Sequence, residues 1–209
     1  SRSPRDRRYR SSFFAGMSLV MPSGIWTIDP ARSTVGWSVK HLGVTTVHGS
    51  ATTFGGTLSG GRASGTVAAD SLRTDDPKRD EYVRSPEFLD AEDFPELRFS
   101  AELTGGDAIA GDLTIRDTTL PLTLQVERME ADADEVQLEL TGTVLRRPYG
   151  LKFPHAFGAA DRSVADEVEL ALVPREHRVG VRVAHPAASV GRDVLDEPPA
   201  ADVHVGARG

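Results

Sequence analysis

The chain has 209 residues, 24 Lys and Arg against 31 Asp and Glu, a formal charge of −7 and no cysteine. That length supports one domain with a full core, and the missing thiols exclude disulfides and cysteine-ligated metals. Residues 24–173 hold 14 basic against 25 acidic side chains, a balance that repels phosphate backbones and excludes nucleic acid as a partner, while no run approaches the ~18 apolar residues of a membrane span.

Residues 1–23 stand apart from the fold. Five arginines precede a short apolar run containing Phe13 and Phe14, an arrangement that imitates a secretion signal. The apolar part is short, however, and no small-x-small cleavage site precedes Pro22. Met17 reads instead as a start placed just ahead of the first strand, and 1–23 as a disordered extension. The expected location is cytoplasmic.

Trp26 to Asp29 reads as a short strand ended by Pro30. From Ser33 to His41, Val35, Trp37, Val39 and His41 share one face, with Thr34, Ser38 and Lys40 on the other. Thr45 to Leu58 continues as strand, with Gly49, Gly55 and Gly56 at bends or bulges. Gly60-Gly61 is a hairpin turn. Ala63 to Leu72 follows with a small face of Gly65, Val67, Ala69 and Ser71.

The alternation then fails from Ser71 to Phe99. Asp75-Asp76-Pro77 signals a helix start with proline in the first turn. One or two helical turns over Arg79 to Arg84 lead to Phe88, Phe94 and Phe99, separated by Pro86 and Pro95. This strap, residues 76–93, is expected outside or across one end of a barrel, as a plug or lid. Asp75, Asp76, Asp80 and Glu81 favour the helix N-terminus; Arg79 and Arg84 are expected to pair with the barrel rim.

Alternation resumes at Leu97, Phe99, Ala101 and Leu103, then at Ile109, Gly111, Leu113 and Ile115. Leu120, Leu122, Leu124 and Val126 form the next inward set, and Val136, Leu138, Leu140, Gly142 and Val144 the cleanest one. An irregular loop from Arg146 to Ala165 precedes Val168, Leu170 and Leu172. Residues 174–209 carry four prolines, no aromatic residue and no sustained period, and read as a disordered tail. The expected fold is therefore all-β, an eight-stranded antiparallel β-barrel over 24–173, with a two-sheet sandwich as the competing arrangement.

Catalytic constellations are scarce. None of the six histidines pairs with another at metal-binding spacing, and Ser71 lacks a histidine partner in sequence. His41 either sits hydrogen-bonded at the barrel end or orients a ligand head at the cavity mouth. Neither metal nor cofactor is expected.

Several motifs recur together in one family. Trp26-x-Ile28-Asp29-Pro30-x-x-Ser33, Val39-Lys40-His41, Gly49 and Phe54-x-Gly56 come first. Ser71 and Thr74, the run Arg79-Asp80 with Val83-Arg84-Ser85, and Phe88-Leu89-Asp90 follow in order. Phe94-Pro95, Gly111-x-Leu113-Thr114-Ile115, Pro121 and Arg146 with Tyr149-Gly150 complete the set. The chain thereby resembles the YceI-like polyisoprenoid-binding proteins from about Ile25 to Val173. Two features depart from the pattern: Asp117 stands where glycine is usual, which suggests a strained or altered turn, and the tail after Pro174 has no counterpart.

The resemblance implies a lipocalin-like barrel that encloses an isoprenoid lipid, polyprenyl phosphate or quinone-like, without chemical change. Homodimers are common among such proteins. A small barrel enzyme acting on a hydrophobic substrate and a ligand-free interaction module are the alternatives. The expected ligand-binding residues are Val35, Trp37, Val39, His41 and Val67, with Ala69, Phe99, Leu113, Leu140 and Arg146. The lipid tail is expected along the lumen and its head near His41 or Arg146. Phe at Ala69 or Gly111 is expected to fill that lumen without unfolding the barrel.

Overall fold

The computed structural model describes residues 24–131, 135–153, 164–173 and 181–184. The N-terminal extension, residues 1–23, lies outside them, as does most of the tail. Twelve strands form one antiparallel sheet: β1 (Ile25–Ile28), β2 (Thr34–His41), β3 (Thr45–Ala51), β4 (Phe54–Ser59), β5 (Arg62–Ala68) and β6 (Leu72–Arg73), then β7 (Glu96–Glu102), β8 (Ala108–Ile115), β9 (Thr118–Ala131), β10 (Glu135–Leu145), β11 (Val164–Val173) and β12 (Val181–Ala184). Helix α1 (Pro77–Arg84) lies between β6 and β7.

Twelve strands instead of eight reflect interruptions within the long passes. β1 pairs with β4, and β2 with β3, so β1–β2 and β3–β4 form one long bent hairpin. β11 and β12 lie along successive halves of the same strand, β10. Because β12 bonds both β10 and β1, the sheet closes on itself through β4, β5, β7, β8 and β9.

Strand β12 corrects the expectation of disorder over the whole of 174–209. Four residues are too short to register as periodic, yet they satisfy backbone groups on two neighbours that would otherwise form open edges.

The break between β3 and β4 has a local cause. The hydroxyl of Ser71 lies 2.7 Å from the carbonyl of Ala68 and 3.1 Å from that of Thr53. The amide and hydroxyl of Thr52 both donate to the carbonyl of Ser71. Ser71 is thus a backbone clamp at the bend. It sits in a 3-10 turn, Ala69–Ser71, which ends the fifth strand earlier than its alternation predicts.

Helix α1 starts where the sequence places it. Asp76 caps it, its carboxylate accepting from the amides of Lys78 (2.9 Å) and Arg79 (3.4 Å), with Pro77 in the first turn. Asp80 is buried and accepts from both the amide and the hydroxyl of Thr74, at 2.8 and 2.6 Å. Arg79 makes its ion pairs within the strap, with Asp75 and Asp76, because those carboxylates lie one turn away. The strap is held to the barrel by other contacts. Val83, Phe88 and Leu89 join the hydrophobic core, the Tyr82 hydroxyl donates to the carbonyl of Lys152 at 3.0 Å, and Arg116 lies over the ring of Phe94.

Candidate functional site: an apolar lumen

The inward faces of the strands leave a cavity of about 570 Å³, within the ~300–1,000 Å³ typical of small-molecule sites. Val35, Trp37, Val39 and His41 of β2 line it, with Val67 of β5, Phe99 of β7, Leu113 of β8 and Leu140 of β10. Period-2 alternation dictates this, because every second side chain points the same way. Leu122 and Leu124 of β9 and Val164, Val168, Leu170 and Leu172 of β11 extend the wall.

The charged lining groups gather at one end, while Thr57, Ser64 and Thr66 lie along β4 and β5. Lys78 and Arg79 come from α1, Asp76 from its N-cap, and His41 from the end of β2. His41 pairs in register with Val164, whose carbonyl accepts from Arg146, and Arg146 also holds Leu151 next to the Tyr82–Lys152 hydrogen bond. The β2–β3 turn and the strap therefore occupy the same end of the barrel.

Two expected site residues have other placements. Ala69 is 0% exposed and lies outside the cavity wall, in the 3-10 turn, where its amide donates to the carbonyl of Pro95. The turn rotates Ala69 off the face that Val67 presents. Arg146 does line the cavity, but it is 2% exposed and its guanidinium is engaged by backbone. Nε donates to Ala165, Nη1 to Leu151 and Nη2 to Val164, at 2.7–2.9 Å, and the group stacks over Phe153. Arg146 thereby joins the loop after β10 to the start of β11.

The spare volume also arises elsewhere than expected. Gly111 is not a gap: a Cβ there would lie 2.3 Å from the Ser100 carbonyl and 2.6 Å from the Ala101 methyl. A Cβ at Gly142 would meet Leu124 at 2.8 Å. Gly36, Gly55 and Gly65 line the cavity, and around Gly55 and Gly65 a Cβ would find nothing closer than 3.7 Å. Strands β4 and β5 thus contribute the open wall.

Sequence reasoning missed the strap's share of the lining, namely Tyr82, Val83, Phe88 and Leu89, together with Phe153. The signal was present in the apolar positions of an otherwise polar segment. Tyr82, Phe88 and Phe153 form a cluster with ring centroids 4.8–5.9 Å apart.

In the turn at Asp117 the left-handed position falls one residue earlier, at Arg116. Arg116 adopts φ +56°, and its guanidinium donates to the carbonyl of Phe88 at 3.4 Å.

The YceI-like domain family model matches residues 26–173. The chain belongs to that family. Among curated relatives, the UPF0312 protein of Staphylococcus aureus strain USA300 is 29% identical over 144 residues, covering 63% of this chain and 84% of the relative. A polyisoprenoid binding domain from Saccharophagus degradans superposes with a TM-score of 0.59 at 10% identity, over 79% of this chain and all of that one. BcnA of Burkholderia cenocepacia gives 0.56 at 16% identity, over 76% and 99%. The YceI protein of Campylobacter jejuni gives 0.51 at 16% identity, over 70% and 90%. These likenesses establish the YceI-like fold for the chain.

Proposed function

We propose that this protein binds and carries, or sequesters, a long isoprenoid lipid in its lumen without altering it chemically. The cavity, walled mainly by aliphatic and aromatic side chains, is the observation that supports this reading most strongly. Its charged groups, Asp76, Lys78, Arg79 and Arg146, lie with His41 at one end, an arrangement suited to an amphiphile with an apolar tail and one polar head. Apolar burial contributes roughly 25 cal/mol per Å², so a branched hydrocarbon chain gains affinity along the whole wall. The Saccharophagus degradans neighbour is described as a polyisoprenoid binding domain, which favours an isoprenoid over a straight acyl chain.

Two side chains of types that perform catalysis, Ser71 and Asp80, have structural partners. Ser71 bonds backbone carbonyls and Asp80 bonds Thr74. This favours a carrier over an enzyme.

Native mass spectrometry of the protein purified from its source tests the reading. A co-purifying lipid with a mass built on repeated isoprene units is the expected result. A ligand-free barrel that also takes up no added polyprenyl lipid overturns it. Conversion of the lipid on incubation would replace the carrier with an enzyme.

A further inference from the structure

The lining of the lumen stops short at the end of the barrel away from the strap. On β1, Ile28 lines it, whereas Trp26, two residues back on the same face, is 2% exposed and packed in the core. On β7 the lining ends at Phe99, and Ala101 joins the core. On β10 it ends at Leu138, and Val136, at 0% exposure, joins the core. A row of paired positions crosses the sheet here: Trp26 faces Leu58, Leu58 faces Ala63 and Ala63 faces Ala101. Leu58 and Ala63 are the members of that row that line the lumen.

The other end is open. There the lining runs out to His41, the last residue of β2, and to Lys78 of α1, which is exposed. Thr57 and Ser64 also border the cavity, but their hydroxyls meet each other at 2.9 Å on the exposed face of the sheet. β4 and β5 stay paired from Phe54 with Val67 to Ser59 with Arg62, so no gap opens between them. Among the described residues, the lumen is therefore a sleeve with a floor at Leu58 and Ala63 and a mouth beside the strap. A flexible apolar chain entering it gains contact with each unit until its tip meets the floor. Any further units stay at the mouth, in water.

We infer that this floor receives the hydrocarbon tip of the isoprenoid and sets how many isoprene units the protein buries, with Ala63 fixing the depth. Trp26 and Ala101 back the floor with packed core, so it yields little when a chain presses on it. Ala63 presents only a methyl group, and leucine in its place adds a volume comparable to most of one isoprene unit. Leu58→Ala removes the same volume from the paired strand. The inference rests on the lumen being the lipid site.

The test is uptake of polyprenols of stepwise increasing length, offered as cyclodextrin complexes to the delipidated full chain. Bound lipid is measured by extraction and mass spectrometry. For wild type, affinity should rise with each added unit up to a break and then level off. Ala63→Leu should move that break to a chain shorter by about one unit, and its binding at the wild-type break length should weaken about tenfold. Leu58→Ala should move the break to a longer chain. Circular dichroism establishes that each variant folds, and either one alone decides. A break at the wild-type length in either folded variant overturns the inference. So does an affinity that climbs with length without a break, because that sleeve has no floor. Should neither variant fold, the presence or absence of a break in wild type decides whether the floor exists. A wild type that takes up no polyprenol of any length defeats the carrier reading itself, and the inference falls with it.

Discussion

The indole of Trp37 rests directly on Gly49, its cross-strand partner. A Cβ built at Gly49 would lie 2.3 Å from two carbons of the ring. Only a residue without a side chain lets Trp37 lie against β3 while it lines the lumen. Gly49→Ala should therefore push the indole into the cavity or strain β3, costing about 1–3 kcal/mol. Urea denaturation followed by tryptophan emission measures both effects. An unchanged midpoint and emission maximum would show that the ring has another place to go.

Gly65 offers the better position for closing the lumen. It lines the cavity, and a Cβ there meets only the Gly55 carbonyl at 3.7 Å. Gly65→Phe is expected to keep the barrel folded and to reduce co-purifying lipid to a small residue. Gly111→Phe should instead fail to fold, since even a Cβ collides with Ser100 and Ala101. Circular dichroism and lipid extraction of the two proteins separate the outcomes. A well-folded Gly65→Phe protein with a full lipid load places the ligand outside the lumen.

Arg146 acts on stability before it acts on any ligand. Its three carbonyl partners are matched by a planar fork with fixed donor directions. Arg146→Lys retains the charge but cannot hold Ala165, Leu151 and Val164 together. The expected loss is about 2–4 kcal/mol, since buried acceptors are left without donors. Thermal unfolding measures it. A lysine variant as stable as wild type would remove this role and return Arg146 to the candidate headgroup contacts.

Tyr149 gives a stability change at alkaline pH. It is buried, donates its hydroxyl to the Leu113 carbonyl at 3.2 Å, and its phenol is pushed above the usual tyrosine range by burial, with a smaller contribution from Asp112. The folded state thus holds the proton more tightly than the unfolded chain does. Stability from this site is complete below about pH 10 and is lost as pH rises through the higher folded value. Tyr149→Phe should be less stable at neutral pH by about 1 kcal/mol, and its stability should fall less steeply above pH 10. Parallel slopes for the two proteins would show that other groups govern the alkaline limb.

The sequence by itself determined the strand faces and the start of the helix, because both follow from local rules. Period-2 alternation set Val35, Trp37, Val39 and His41 on one side of a strand whatever lay opposite. Asp76 before Pro77 fixed a helix start through groups within three residues of each other. Tertiary structure decided what each inward position meets. Gly65 and Gly111 look alike along the chain, yet one borders open space and the other touches Ser100 and Ala101 on the neighbouring strand. Ala69 shares the alternation of Val67 but is turned away by a 3-10 turn that Ser71 pins to Thr53. Arg146 carries a charge suited to a headgroup, but it is spent on carbonyls of Leu151, Val164 and Ala165. Closure of the barrel required β12, four residues whose only signal is that β1 and β10 need a partner between them. A cavity is the volume left over after distant segments have packed, and no local pattern encodes that remainder.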